Sequence, residues 1–163
     1  MSPADRQALI RRYAQGPALL EAALAEVPGP ARQWRPAPGK WSVHEVIVHC
    51  ADSEVNAHMR IRYLVAEPEP VIVGYDQDRW AQEFDYHRHP LELALVTIRA
   101  VRANTVPLLE RLPGSAWARQ GRHTEYTTPY GTDAWLKSYG EHLEVHARQI
   151  RRNLEAWNKT ERT

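Results

Sequence analysis

The sequence predicts an all-α protein, a bundle of four long helices, on three observations. Apolar residues recur at spacings of three and four through four long stretches. Segments rich in proline, glycine and polar residues, 28–41 and 113–131 among them, separate those stretches. Only Val71-Ile72-Val73 reads as a short extended segment.

The elements follow in order. Ser2 caps a first helix, Pro3 takes its first position, where a missing N–H costs nothing, and Asp5 favours the positive helix end. Leu9, Ile10 and Tyr13 give an apolar face, which Gly16-Pro17 interrupts and Leu19, Leu20, Ala23, Leu24 and Val27 resume. A kinked helix, or two closely spaced ones, is expected before Pro28-Gly29-Pro30. After a loop over 28–41, Ser42 and Glu45 have capping-box spacing, and a helix should run from about Val43 to Ala66. Asp76 caps a short helix carrying Trp80 and Phe84. Pro90 starts a long helix with Leu91, Leu95, Ile98, Val101, Leu108 and Leu109, kinked at Pro107 and closed by Leu112-Pro113-Gly114. Residues 113–131 read as a loop. Thr132 or Asp133 caps the last helix, from about Ala134 to Trp157. One domain over 1–163 is expected, with a polar, frayed tail over about 158–163.

Lys plus Arg number 21 and Asp plus Glu 20, a formal charge of +1. So even a balance gives no reason to expect nucleic acid or an anionic membrane as partner. Cys50 is the only cysteine, which fits a reducing compartment. No apolar run approaches the ~20 residues that span a bilayer, and the first residues lack an apolar signal core. The expectation is a soluble, cytoplasmic protein.

With 8 histidines in the chain, spacing decides which matter. His142 and His146 are four apart, so both rings lie on one helix face, about 40° apart around the axis. Trp135, Tyr139, Leu143, Ile150 and Trp157 surround that face, so the rings point inward. Inward imidazoles are costly unless hydrogen-bonded or metal-bound. The pair alone reads better as core histidines with partners. On the second helix His49 shares a stripe with Val46, Ser53, Asn56 and Arg60, all within about 60° of it. A line of His, Ser, Asn and Arg suggests a polar cavity between helices; the alternative is a solvent face, with Val46, Cys50, Ala57, Ile61 and Leu64 as the core.

The run Trp41-Ser42-Val43, then His49-Cys50-Ala51-Asp52-Ser53 with Asn56 and Arg60, then Tyr75-Asp76 with Trp80, then His142 and His146, resembles the DinB-like four-helix-bundle superfamily, in its YfiT branch. The resemblance spans about residues 5–155. That branch includes metal-dependent hydrolases and bacillithiol S-transferases. The resemblance implies one divalent ion, Zn2+ or Ni2+, held between helices by His49, His142 and His146, with positions left open for water or substrate. It implies a small-molecule substrate, a low-molecular-weight thiol as co-substrate in detoxification, and a homodimer. The alternatives are a metal-dependent hydrolase and a non-enzymatic metal-binding stress-response bundle.

Around that site, Asp52, Ser53, Asn56, Arg60 and Tyr75 are candidates to orient ligands or hold substrate. Asp52 could orient an imidazole. Arg60, about 16 Å along the axis from His49, suits a long anionic substrate, or else pairs with a carboxylate of another helix. Cys50 points about 100° from His49 and is expected to pack as a small hydrophobe. No HExxH motif supplies a peptidase base, Glu54 points elsewhere, and Glu144 is expected to be exposed. His44, His58, His87, His89 and His123 read as surface or capping residues, with His123 within reach of the site from its loop.

Overall fold

The capping spacings read from the sequence close as real caps. The computed structural model describes residues 1–161. At the start of α1 (Pro3–Ala25) Ser2 Oγ accepts from the Asp5 amide and the Asp5 carboxylate accepts from the Ser2 amide. Ser42 and Glu45 do the same at α2 (Val43–Ala66). Asp76 caps the short α3 (Gln77–Glu83), and Pro90 precedes α4 (Leu91–Glu110).

Of the two expectations for the first helix, two separate helices do not occur; α1 passes through Gly16-Pro17 as one helix. Pro17 has no N–H to give the Tyr13 carbonyl four residues back. Arg102, arriving from α4, donates its Nη1 to that carbonyl instead. A Cβ at Gly16 would collide with the same Nη1, so glycine opens the approach.

The last helix, α5 (Thr132–Thr160), also differs at both ends from the sequence reading. Gly131 stands at the N-cap position without a side-chain bond; the Thr132 hydroxyl is taken by the Ala116 carbonyl, and Asp133 by Arg6 and the N-terminal ammonium. Residues 158–160, expected in the tail, continue the helix. Residues 162 and 163 lie outside the described residues.

The expected loop over 113–131 holds a 3-10 turn (Gly114–Ala118) and two short strands, β2 (Gln120–His123) and β3 (Tyr130–Gly131). β2 pairs in parallel with β1 (Val71–Ile72) and antiparallel with β3, giving a three-stranded sheet in the order β1-β2-β3. Gln-Gly-Arg-His carries no apolar alternation, so the strand has no signature of its own. Gly121 is what lets it lie against Pro70, whose carbonyl a Cβ would strike.

Contacts between helices fix their directions. Arg6 meets Asp133, Arg12 meets Glu141 and Glu144, and Glu26 meets Arg151, so α1 and α5 run parallel. Glu54 meets Arg102 and His58 meets Thr105, so α2 and α4 run parallel to each other. The two pairs oppose one another, with Arg99 on Glu21 and His49 facing His146. A parallel α2/α4 pair requires a crossover, which residues 67–90 provide.

Two apolar clusters stack along the bundle. One gathers Leu20, Val46, Ile47, Ile98, Leu143 and Ile150; the other gathers Ile10, Ile61, Leu64, Leu109, Trp135 and Leu136. Between them lies a polar layer: Tyr13, Glu54, Arg102 and, at its edge, His142. Among the described residues, no helix is long and apolar enough to cross a membrane.

Candidate metal centre

The functional site grows from the interior end of that polar layer. His49 on α2 is 2% exposed, and it faces His142 and His146 on α5, with ring centroids 5.7 and 5.0 Å away. The two α5 rings are 4.6 Å apart and nearly perpendicular. One nitrogen from each of the three lies within 4.8 Å of the others. Trp41, just before α2, lays its ring 4.7 Å from that of His49.

Hydrogen bonds orient two of the rings. His142 Nδ1 donates to Glu54 Oε1 at 3.3 Å, and His146 Nδ1 donates to Gln149 Oε1 at 2.8 Å. Both Nε2 lone pairs are then turned away from those partners, with Ser53 Oγ 3.4 Å from His142 Nε2. His49 Nδ1 is buried with no hydrogen-bond partner among the described residues.

Electrostatics keep two of the three rings, His49 and His146, neutral. Burial, then His146 and His142, pushes the His49 pKa down to about 2. Burial, then His142, pushes His146 down to about 4. Imidazoles neutral at pH 7 have lone pairs for a metal, and a buried orphan nitrogen has an unmet need for one. Three imidazoles are a donor set suited to Zn2+ or Ni2+. To share one ion at the usual ~2.1 Å bond length the nitrogens need to draw in by roughly 1 Å, a side-chain adjustment. The residues fit a divalent ion.

Glu54 is the residue that sequence reading missed. Expected to point elsewhere, it is fully buried and bonded to both Arg102 and His142. Burial would raise its pKa, yet Arg102 and His142 together hold it below the usual carboxylate value. A signal existed: Arg102 stands in the buried line Ala94, Ile98, Thr105, Leu109 of α4. An arginine on an apolar line needs a buried acceptor, and Glu54 is the match.

The other candidates separate. Asp52 does not orient an imidazole; its carboxylate accepts from the Tyr86 hydroxyl. Asn56 turns back to the Asp52 carbonyl of its own helix. Ser53, Arg60 and Tyr75 instead line a recess of about 170 Å³ whose inner wall includes His142. Among the described residues Arg60 pairs with no carboxylate; it donates to the Tyr139 hydroxyl at 2.9 Å and the Val73 carbonyl at 2.6 Å. Burial pushes the Tyr75 phenol up to about 12, and its hydroxyl, beside Ser53, makes no well-formed hydrogen bond among the described residues. His123, read as a loop residue within reach, is buried on β2 and lines the same recess. His44 and His58 are not surface residues either: His44 Nε2 meets the His89 carbonyl, and His58 Nδ1 meets Thr105 Oγ1. Cys50 is fully buried and its thiol is pushed up by burial, as expected of a packing residue. Glu144 faces away from the site, toward Arg12 and Arg148.

Fold and site together define a class: a four-helix bundle with parallel α1/α5 and α2/α4 pairs and a cradle of three imidazoles between two of its helices. The chain belongs to the DinB superfamily, whose family model matches residues 12–150. A relative from Oceanobacillus iheyensis named "Putative metal-dependent hydrolase" is 34% identical over 113 residues, 66% of this chain and 63% of that protein. The match thus spans less than two thirds of that relative's length. A Bacillus cereus protein of the same name is 27% identical over 71% of this chain and 68% of its own. In structure the chain is similar to YfiT from Bacillus subtilis, described as a probable metal-dependent hydrolase with an unusual four-helix bundle topology. The TM-score is 0.90, over 97% of this chain and 90% of YfiT, at 22% identity. A mycothiol-dependent maleylpyruvate isomerase shares the fold more loosely, with a TM-score of 0.61 at 12% identity over 92% of this chain and 58% of its own.

Proposed function

We propose that this protein is a metal-dependent enzyme that transfers a low-molecular-weight thiol to a small electrophile, with His49, His142 and His146 as metal ligands. When bound, the ion would act as a Lewis acid, lowering the pKa of a coordinated thiol or water. Glu54 holds His142 in the tautomer that presents Nε2, and Gln149 does the same for His146. Trp41 covers His49 on one side, while the recess beside His142 admits substrate on the other.

The observation that carries this reading is the state of the nearby carboxylates. Glu54 is engaged by Arg102 and His142, and Asp52 by Tyr86. Neither is free to act as a general base, and Glu125, exposed on the recess lining, reaches toward His123. Hydrolysis of an unactivated bond gains roughly 10²–10⁴-fold from such a base. A thiol, with a pKa near ~8.5, needs only its pKa lowered to become a nucleophile. In the transfer, the thiol proton leaves to solvent, sulfur bonds to the electrophilic carbon, and the leaving group departs with its electron pair. A mycothiol-dependent enzyme on the same fold favours this reading. The names of the relatives favour metal-dependent hydrolysis as the second. A metal-binding bundle without activity fits less well, because no fourth protein ligand accompanies the three imidazoles among the described residues.

The test is an activity screen on zinc- and nickel-loaded protein, several thiols being paired with one generic electrophile, beside esters and amides. Metal-dependent consumption of thiol supports transfer. Ester or amide cleavage without thiol consumption replaces it with the hydrolytic reading.

A further inference from the structure

Three buried side-chain polar atoms lack any partner among the described residues: His49 Nδ1, Arg60 Nε and Tyr75 Oη. All three belong to the metal centre or to the recess beside it. The first is explained by a metal. The other two belong to a cation and a neutral phenol lining one cavity, and a buried donor left unpaired costs stability unless a ligand meets it.

Arg60 carries five N–H donors, and two are used, toward Tyr139 Oη and the Val73 carbonyl. Among the described residues no carboxylate lies within 4 Å of it, unlike Arg102, which pairs with Glu54. Neighbouring His123 adds no charge at neutral pH, since burial, then Arg60, lowers its pKa. The one acid on the lining, Glu125, stands exposed and reaches toward His123, 3.9 Å from its Nδ1. The inner wall therefore holds a single uncompensated positive charge. The Tyr139 ring alone separates that charge from His142: the guanidinium bonds the phenol oxygen, and the ring lies 5.7 Å from the imidazole.

We infer that this recess is a carboxylate subsite, in which Arg60 and Tyr75 hold the anionic end of a substrate whose reacting end lies at the three histidines. Where the reacting end lies rests on the proposed metal centre; the anion site does not. One arginine with an acid at the cavity mouth suits a monoanionic carboxylate and opposes a dianionic phosphate.

The test is calorimetry on zinc-loaded protein with three probes: hexanoate, 6-mercaptohexanoate and 6-mercaptohexan-1-ol. The two thiols differ only in charge at the far end. Wild type should bind the thiol acid about ten- to hundred-fold more tightly than the alcohol, the scale of a charged hydrogen-bonded pair. Arg60→Gln should erase that preference by weakening the acid alone, and Arg60→Lys should retain part of it. Equal affinity of wild type for acid and alcohol overturns the subsite, as does an equal loss of both in Arg60→Gln. Inorganic phosphate displacing hexanoate at matched concentration overturns the carboxylate assignment. If neither thiol binds but hexanoate binding depends on Arg60, the subsite stands and the thiol reading falls; if both thiols bind equally, the reverse holds. Should Arg60→Gln not fold, shift mapping of hexanoate on wild type decides. Perturbation at Arg60 Nε–H supports the subsite, and its absence there rejects it.

Discussion

Replacing Arg102 by methionine should cost this protein about 3–5 kcal/mol, a large fraction of what an ordinary domain has. The side chain is 1% exposed and gives two hydrogen bonds to Glu54, at 3.0 and 2.6 Å, with Glu54 fully buried. It also satisfies the carbonyls of Tyr13 and Tyr139 and lays its guanidinium 3.9 Å from the Tyr13 ring. Methionine fills the volume but leaves a buried carboxylate with only the Tyr13 hydroxyl and His142, and that uncompensated charge is the main loss. At roughly 2–4 °C per kcal/mol for a chain of this size, Tm should fall by about 10–15 °C. The double variant Arg102→Met/Glu54→Leu should recover most of this, because an apolar pair replaces an ion pair at little net cost. Metal affinity should not recover with it. His142 loses the acceptor that fixes its Nδ1, and loss of such a partner typically weakens a metal site 10–100-fold. Urea melts and metal titrations of the wild type, the single variant and the double variant read both quantities. A single variant costing under about 1 kcal/mol, or a double variant that binds metal like wild type, refutes the account of the polar layer.

Three further outcomes follow. His146→Ala should abolish metal binding while Glu144→Ala leaves it intact; metal analysis of protein purified without a His tag checks both. The metal-free protein should lose stability as pH falls below about 6.5, where unfolded histidine takes a proton that folded His49, near 2, and His146, near 4, refuse. The folded pKa values are depressed, so stability is full above 6.5 and falls by about 1.4 kcal/mol per pH unit for each such histidine, measured by melts from pH 7 to 4.5 with the metal removed. Gly16→Ala, which in an exposed helix would stabilise by about 1 kcal/mol, should instead destabilise, because its Cβ meets Arg102 Nη1; a neutral or raised Tm would refute the close approach.

What the sequence disclosed was periodic or reciprocal. The Ser2 cap, the Ser42/Glu45 capping box, the extent of α2 and the inward faces of His142 and His146 follow from spacing along one helix, whereas spacing left the His49 stripe readable as a solvent face and the family resemblance brought it to the site. What stayed hidden depends on a second element. Glu54 lies five residues after His49, about 140° around the helix, so stripe logic assigns it elsewhere. It joins the site only because His142, on α5, reaches around to it. β2 forms because β1 and β3 offer edges, and its own residues carry no strand pattern. The recess needs α2, the β1 region, β2, β3 and α5 at once. Arg60 was legible as a residue for an anion or for a carboxylate on another helix, and its partners are a phenol and a carbonyl.

The Gly16-Pro17 step shows how far a local rule can reach. Read alone, it breaks a helix. In the bundle, Pro17 frees the Tyr13 carbonyl, Gly16 clears a channel beside it, and Arg102 enters to bond that carbonyl. Arg102 in turn keeps Glu54 ionised inside the core, and Glu54 sets the tautomer of His142. A dipeptide on α1 thus governs, through two side chains, the orientation of His142, one of the three proposed metal ligands. Substitutions there should register in metal affinity as well as in stability, which a purely local helix defect would not do.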